Sequence, residues 1–521
     1  MRISERVPGR DIALRCPDGA AHRPYQMATL VIVIWIAAVA ARLVLINQPY
    51  IDHWSWRQSD VAAIARNFLQ NGFHFADPQV DWAGNAPGYV GTEFPILPFI
   101  AAVCYKFAGV REWIGRIQAV ILFAVSVPFF FLLVREIFGS TSAIWAAFFY
   151  CFTPLNVFTG RSFMPDVPSL SLAIVGLYFF LRWIQHAESW SFFAAAIAIS
   201  LSLLLKITSI VIAAPLLYIL FVGRLCQPRT LSGFRVKRPT IRGAIVFGAI
   251  ALLPSAIWYW HAHQIAQQFY PHHFFGAGGI RIESFSWYWQ IAQQTFVSSL
   301  TPVLAVIGLL GLFLPQSRAG RYPRLFHWWL AAMIVFIIVV GYGNRHRWYQ
   351  LPLVPIVAAF AGAVCGFVAS KISSRLAAIT SSIALAFTFL FLAFVYVRPF
   401  YEASAAQLRD AGFELKKVTP PDAVIVAADM GDPTIFYYAE RKGWHFPEND
   451  AIYNGTPDDS DQAIENLERL RRNGATHFVF TRNTFWWLNS YSEFVAYLNT
   501  HATLLEATPE FSIYKLTVMA R

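Results

Sequence analysis

Charge is scarce in this chain. Only 14% of its 521 residues are Asp, Glu, Lys or Arg, against about 25% in soluble proteins, too few to cover a water-soluble domain of this length. Acidic side chains are the scarcer sign, 30 against 41 basic, which leaves a formal net charge of +11. Cysteine is also sparse. Cys16, Cys104, Cys151, Cys226 and Cys365 are odd in number and lack metal-type spacing, which argues against a disulfide framework or a zinc knuckle. No cleavable leader is apparent either: residues 1–26 are polar and basic, and the apolar run that follows is long, has no convincing cleavage site and is expected to be a retained first span.

What is abundant is apolar surface, with 56% hydrophobic and 16% aromatic residues. Runs long enough to cross a bilayer, about 17 to 25 residues each, recur through the first 400 positions. The chain reads as an α-helical polytopic membrane protein with about eleven transmembrane helices. They lie near 28–46, 113–134, 141–157, 166–184, 190–205, 207–223, 243–260, 297–314, 325–341, 350–369 and 377–396. Basic residues gather in the connections 224–242, 316–324 and 370–376. The positive-inside rule places these and the N-terminal tail, 1–27, in the cytoplasm, so the charge reports topology rather than affinity for nucleic acid.

The transmembrane domain is expected over 28–397, with a large first external loop at 47–111. In "RQSDVAAIARNFLQNG", Val61, Ile64, Ala65, Phe68 and Leu69 share one helical face, the pattern of an amphipathic helix lying at the interface. The stretch "FPILPFIAAVCYKFAG" fits either a short span or a second interfacial helix. Taking it as interfacial puts every strongly basic connection inside. From 398 to 521 strand-like and helical patterns alternate ("PPDAVIVAAD", "DQAIENLERLRRNGATHFVFT", "FSIYKLTV"), and a small extracytoplasmic α/β domain is expected there.

Four groups of charge then fall at the outer face. One is the first loop, with Asp52, His53, Arg57, Asp60 and Glu93; the second is "GRSFMPDVPSL", with Arg161 and Asp166. The third is Lys206 in "LLLKITS", and the fourth is "RHRWYQLPLVP", where Arg345, His346 and Arg347 violate the positive-inside rule beside Tyr349. A charge in hydrocarbon costs about 2.5 to 3.5 kcal/mol unless paired or hydrated, so charges converging at one depth imply a polar cavity. Singly, the cations also fit snorkelling to lipid phosphates, and Asp52, Asp60, Glu93 and Asp166 fit solvated or helix-start positions. His261, His263, His272 and His273 leave a divalent metal open, though interfacial histidine clusters mostly hold none.

In their order and common side, "IARNFLQNG", "TEFPILPF", "FTGRSFMPDVPSL", "LLLKITS" and "RHRWYQLPLVP" resemble the polyprenyl-phosphate-sugar-dependent glycosyltransferases of the GT-C fold. The nearest branch is family 39, with the lipid A aminoarabinose transferases and protein O-mannosyltransferases. The resemblance spans about residues 28–400. It implies an acid early in the first loop as the catalytic group, a Glu-x-Pro element at Glu93 and Pro95, an Arg-to-Asp element at Arg161 and Asp166, and a lysine ending a span at Lys206. One departure matters: alignment through "IARN" sets Arg57 where that acid is expected, so the role passes to Asp52 or Asp60, with Asp52 preferred.

The implied reaction moves a sugar from a polyprenyl-phosphate donor to a membrane lipid, glycan or protein acceptor at the outer face of the plasma membrane. Its chemistry fits the residues: a carboxylate among Asp52, Asp60, Glu93 and Asp166 takes the acceptor's proton, and Arg57, Arg161, Lys206, Arg345, His346, Arg347 and Tyr349 hold substrate and the departing phosphate. A transporter or flippase would also bury charge, but usually as two related halves, and no internal repeat is visible. A surface-polysaccharide polymerase or ligase is mechanistically close.

Overall fold

The computed structural model describes residues 18–225, 240–275, 279–314, 322–449, 452–453 and 455–517. Helix α1 (Asp18–Leu43) leads into the first loop, which holds α2 (Ser55–Asn71) and α3 (Ile96–Ala108). Then follow α4 (Glu112–Phe138), α5 (Ser140–Phe152), α6 (Pro154–Thr159), α7 (Asp166–His186), α8 (Ser189–Leu205), α9 (Ala213–Leu225) and α10 (Ile241–Gln268). After these come α11 (Phe285–Gln294), α12 (Pro302–Leu312), α13 (Leu325–Val340), α14 (Leu353–Lys371) and α15 (Arg375–Val397).

Among the described residues, five stretches are long and apolar enough to cross a bilayer by length and composition: α4, α7, α10, α14 and Arg375–Val418, which begins with α15. Six shorter apolar helices accompany them. Large apolar side chains such as Ile36, Leu217, Ile257 and Phe391 point outward, which is stable only against lipid. Helix α3 has 13 residues, about 20 Å of rise, short of a bilayer core of about 30 Å.

The expected span at 297–314 is broken. An apolar helical run, Phe285–Ser299, meets Pro302–Leu312 at a 111° bend; Pro302 has no N–H to continue the preceding helix, and Thr301 instead caps the new one by accepting from the Leu304 N–H at 3.3 Å. The expected span at 141–157 is likewise divided, with Pro154 opening α6.

The C-terminal region contains α16 (Ala406–Val418), β1 (Val424–Ala428), α17 (Thr434–Ala439), β2 (Lys442–His445), β3 (Glu448–Asn449), β4 (Ile452–Tyr453), α18 (Ser460–Arg472), β5 (His477–Thr481), α19 (Trp487–Ser490), α20 (Ser492–His501), β6 (Ala502–Ala507) and β7 (Phe511–Leu516). Its five-stranded sheet has the order β2-β1-β5-β7-β6. β1 runs parallel to β2 and β5, and β7 pairs antiparallel with β5 and β6. The parallel pairs align their carboxyl ends, setting Ala427 opposite His445.

This sheet is built onto the first loop. Ile64, Phe68, Val80 and Trp82 share one buried core with Leu408, Ile425, Phe436 and Ile513, while Val61 and Ala65 pack with Tyr437 and Tyr438. Helix α2 is therefore covered on both faces, a correction to the interfacial helix expected from its apolar stripe. Backbone bonds tie the two parts: Gly84 N–H donates to Gly443 O at 2.7 Å and Gly443 N–H to Asp81 O at 3.0 Å. Gly84 has φ +56°, and a Cβ there would lie 1.9 Å from the Trp444 ring, so this approach needs glycine.

Candidate active site

The four charge groups meet at one end of the helical bundle. Helix α7 starts there because Pro165 and Pro168 suit a helix start, which puts Asp166 in its first turn. Helix α8 stops there as Lys206 turns extended, φ −156°. Lys206 Nζ lies 3.3 Å from Asp166 Oδ1 and 3.4 Å from Glu93 Oε1, and Arg57 donates to both Glu93 oxygens at 2.7 and 2.8 Å. The result is a buried ladder of alternating sign: Arg57, Glu93, Lys206, Asp166. Burial opposes the Glu93 charge, but Arg57 and Lys206 outweigh it and hold the carboxyl at about 2. Tyr349 closes the ladder, its ring centre 4.5 Å from Lys206 Nζ.

Asp52 sits elsewhere. It is fully buried and accepts from Gln58 Nε2 at 2.5 Å, Arg116 Nη2 at 3.1 Å and Arg161 Nη1 at 3.2 Å. Its carboxylate is thus shared by two guanidiniums inside the protein. Arg161 also donates to Leu45 O at 2.8 Å. Arg57 and Arg161 are thus engaged with carboxylates inside the protein rather than presented as free substrate cations.

Arg345 and Arg347 differ. Among the described residues neither forms an ion pair: Arg345 is exposed beside the Tyr342 ring, and Arg347 lies 5.3 Å from the Phe400 ring centre. His346 stacks on Trp348 with ring centres 4.4 Å apart. Burial, then Arg345 and Lys206, push its imidazole down to about 4, so it serves near neutral pH as an aromatic surface rather than a third cation.

Asp60, one helical turn from Arg57, faces the sheet. Its Oδ1 accepts from Trp82 Nε1 at 2.9 Å. Burial pushes its carboxyl up to about 6, against Trp82, Arg57 and His445, which favour the charge. That value suits a base working near neutrality.

One small cavity touches the ladder, and a larger apolar one lies apart from it, deeper in the bundle. The small one, hydroxyl-sized at about 20 Å³, is lined by Asp166, Lys206, Ser209, Trp348 and Tyr349. Further along the turn Ile207–Ile212, an apolar cavity of about 260 Å³ is lined by Phe180, Leu203, Ile212, Leu216, Phe247 and Ala251. Among the described residues, Asp166 Oδ2 and Trp348 Nε1 are buried without hydrogen-bond partners. For a metal, the described residues offer no group of three or more His, Cys, Asp or Glu side chains. His261, His263 and His272 bond to Ala76 O, Gln267 and Ala266 O, and His273 packs on Phe275.

Sequence reasoning passed over Arg116, Gln58, Trp82, Asp429 and His445. Arg116 carried a usable signal, since a cation near the outer end of a span breaks the positive-inside rule just as Arg345 does. The others are ordinary in sequence and are brought in by the fold.

Residues 92–258, which include Glu93, Arg116, Arg161, Asp166 and Lys206, match the sequence family described as dolichyl-phosphate-mannose-protein mannosyltransferase. No curated protein matches the chain. Among solved structures, ArnT from Cupriavidus metallidurans, crystallised bound to undecaprenyl phosphate, superposes with a TM-score of 0.60 at 14% identity, covering 95% of this chain and 98% of that one. The archaeal oligosaccharyltransferase AglB from Archaeoglobus fulgidus, in complex with an inhibitory peptide and a dolichol-phosphate, gives 0.59 at 13%, covering 94% and 74%. Arabinofuranosyltransferase AftD from Mycobacteria gives 0.55 at 14%, covering 94% of this chain but 40% of its own. The chain has the GT-C fold of these membrane glycosyltransferases.

Proposed function

We propose that this protein transfers a sugar from a polyprenyl-phosphate donor to a lipid, glycan or protein acceptor at the outer face of the plasma membrane, with its N-terminus cytoplasmic and its α/β domain outside. The observation that carries the reading is the convergence, at one bundle end, of the Arg57–Glu93–Lys206–Asp166 ladder with Arg345 and Arg347, which form no ion pair among the described residues. A departing phosphate needs such cations. The undecaprenyl phosphate of ArnT and the dolichol-phosphate of AglB support the same ligand class.

In this reading Arg345, Arg347 and Lys206 bind the donor phosphate, with Arg57, Glu93 and Asp166 holding Lys206 in place. The acceptor oxygen attacks the anomeric carbon, whose bond to the phosphate oxygen breaks with the electron pair left on phosphate. The acceptor's proton passes to Asp60, and the cations stabilise the charge that develops on the leaving group. No covalent intermediate on the enzyme is needed, because the phosphate is already a good leaving group.

The test is transfer from purified polyprenyl-phosphate sugars to membrane acceptors, comparing wild type with Asp60→Asn and Lys206→Ala. Loss of transfer in both variants, with both still folded, supports the reading. Transfer unaffected by Lys206→Ala removes the phosphate site, and transfer unaffected by Asp60→Asn removes the base.

A further inference from the structure

The carboxyl edge of the parallel strands puts a second polar cluster against Asp60. Asp429 directly follows β1 and His445 ends β2, and their parallel register brings them side by side. His445 Nδ1 lies 2.9 and 2.8 Å from the two oxygens of Asp429, both residues being buried. The His445 ring packs against the Trp82 ring with centres 5.6 Å apart, and the Trp82 N–H is the one that meets Asp60. The Gly84–Gly443 backbone bonds clamp the loop segment carrying Trp82 onto β2. Ligands of open α/β sheets gather at this same edge, outside the carboxyl ends of the strands.

We infer that the Asp429–His445 pair of the C-terminal domain is a positioning unit for Asp60, acting through Trp82, so that the α/β domain completes the site of sugar transfer. This rests on the reading of Asp60 as the base. Asp429 fixes the His445 ring, the ring fixes the plane of the Trp82 indole, and the indole N–H holds Asp60 toward the acceptor. A base displaced by about 1 Å loses much of its rate, so the relay matters for turnover more than for donor affinity.

The charged surroundings set the sign of the pH effect. Asp60 is faced by Arg57 from its own helix, by Asp432 and His445 from the sheet side, and by Trp82. His273, whose ring centre is 5.5 Å from that of Trp82, is pushed down to about 4 by burial and by Arg57 and is neutral near pH 7. For His445 burial opposes charge, but Asp429 first, then Asp60 and Asp432, raise its imidazole above the ordinary value. Both the indole N–H and His445 favour the charged Asp60 carboxylate, so removing either makes Asp60 harder to ionise.

The experiment measures kcat, donor KM and the pH profile of sugar transfer for the full-length protein in detergent or vesicles. The variants are Trp82→Phe, which keeps the ring, the paired His445→Gln with Asp429→Asn, the combination of all three, and Asp60→Asn. Expected are a kcat loss of at least about tenfold, an unchanged donor KM, and an acidic limb moved to higher pH. The combined variant should be no worse than the more damaging of its parts, as for residues acting in one chain. If folded Trp82→Phe and the paired variant keep wild-type kcat and pH limb while Asp60→Asn loses transfer, the relay is overturned and the base stands. If Asp60→Asn transfers at the wild-type rate, both fail.

Discussion

Arg57 Nη2 lies 2.7 and 2.8 Å from the two oxygens of Glu93, with both side chains buried. The residue standing where the related glycosyltransferases are expected to carry an acid is here a cation, and Glu93 answers it.

Breaking that pair leaves an uncompensated buried charge. Glu93→Gln is expected to cost about 3 kcal/mol or more of stability, read by thermal unfolding in detergent. The pH dependence has a definite sign. Because the folded-state pKa of Glu93 is depressed, its contribution is complete above the ordinary value of 4.5 and disappears as pH falls through about 2. The gap between wild type and Glu93→Gln should be constant near neutrality and close only in strong acid.

Asp60→Asn should lower turnover by about a hundredfold or more, the lower end of what general base catalysis supplies, while polyprenyl-phosphate binding survives. In wild type, kcat/KM should fall as pH drops below about 6, where the base becomes protonated. The same substitution should raise stability above that pH. Asp60 ionises less readily folded than unfolded, so its charge penalises folding once pH exceeds the ordinary 3.8, and the penalty is complete above about 6. A variant both slower and more stable is the signature of a carboxylate kept for chemistry.

Asp52→Asn is expected to do the reverse. It leaves Arg116 and Arg161 facing each other without their shared carboxylate, so about 3 to 5 kcal/mol of stability should go, while the fraction that folds retains its turnover. Unfolding curves alongside initial rates separate the two outcomes; loss of turnover at full stability would return the base to Asp52.

Arg345→Ala or Arg347→Ala should weaken binding of polyprenyl phosphate about tenfold or more, since a hydrogen bond to a charged group contributes about 1.5 to 3 kcal/mol. Lysine at either position should restore part of this, because the planar fork is lost. Equilibrium binding in vesicles reads the effect without needing the sugar.

For topology, single cysteines in a chain stripped of its native five report sidedness. Gly343→Cys, in the basic turn, should react with a membrane-impermeant thiol reagent in intact cells. Ser374→Cys, capping α15 at the opposite end of the bundle, should react only after permeabilisation. Equal labelling of both positions in intact cells would defeat the proposed orientation.

What was readable in the sequence follows from the range of the forces involved. The helix at "IARNFLQNG" was legible because apolar spacing and the stop at Gly72, φ +99°, are local. That both its faces are covered was not, since the cover comes from α3 on one side and, on the other, from residues more than 330 positions later. Arg345, Arg347 and Lys206 stood out because a cation beside hydrocarbon breaks a rule visible in one loop. The surroundings of Asp52 and Asp60 could not be read locally: Arg116 and Arg161, which engage Asp52, are 64 and 109 residues away, and Asp60 is met by Trp82 with the sheet behind it. The break at Pro302 was readable in principle, but the apolar run across it masked the proline.

The clasp between Gly84 and Gly443 also has a consequence in time. The ribosome finishes residue 60 some 370 residues before Asp429 appears, an interval of about twenty seconds to over a minute at ordinary synthesis rates. In the proposed orientation the first loop waits outside through this interval, with Ile64, Phe68 and Trp82 lacking their partners from the sheet, while the helices below are threaded one by one. The last segment made is the one that locks the first, so under the proposed function a chain truncated before the sheet is expected to stay silent toward the donor lipid.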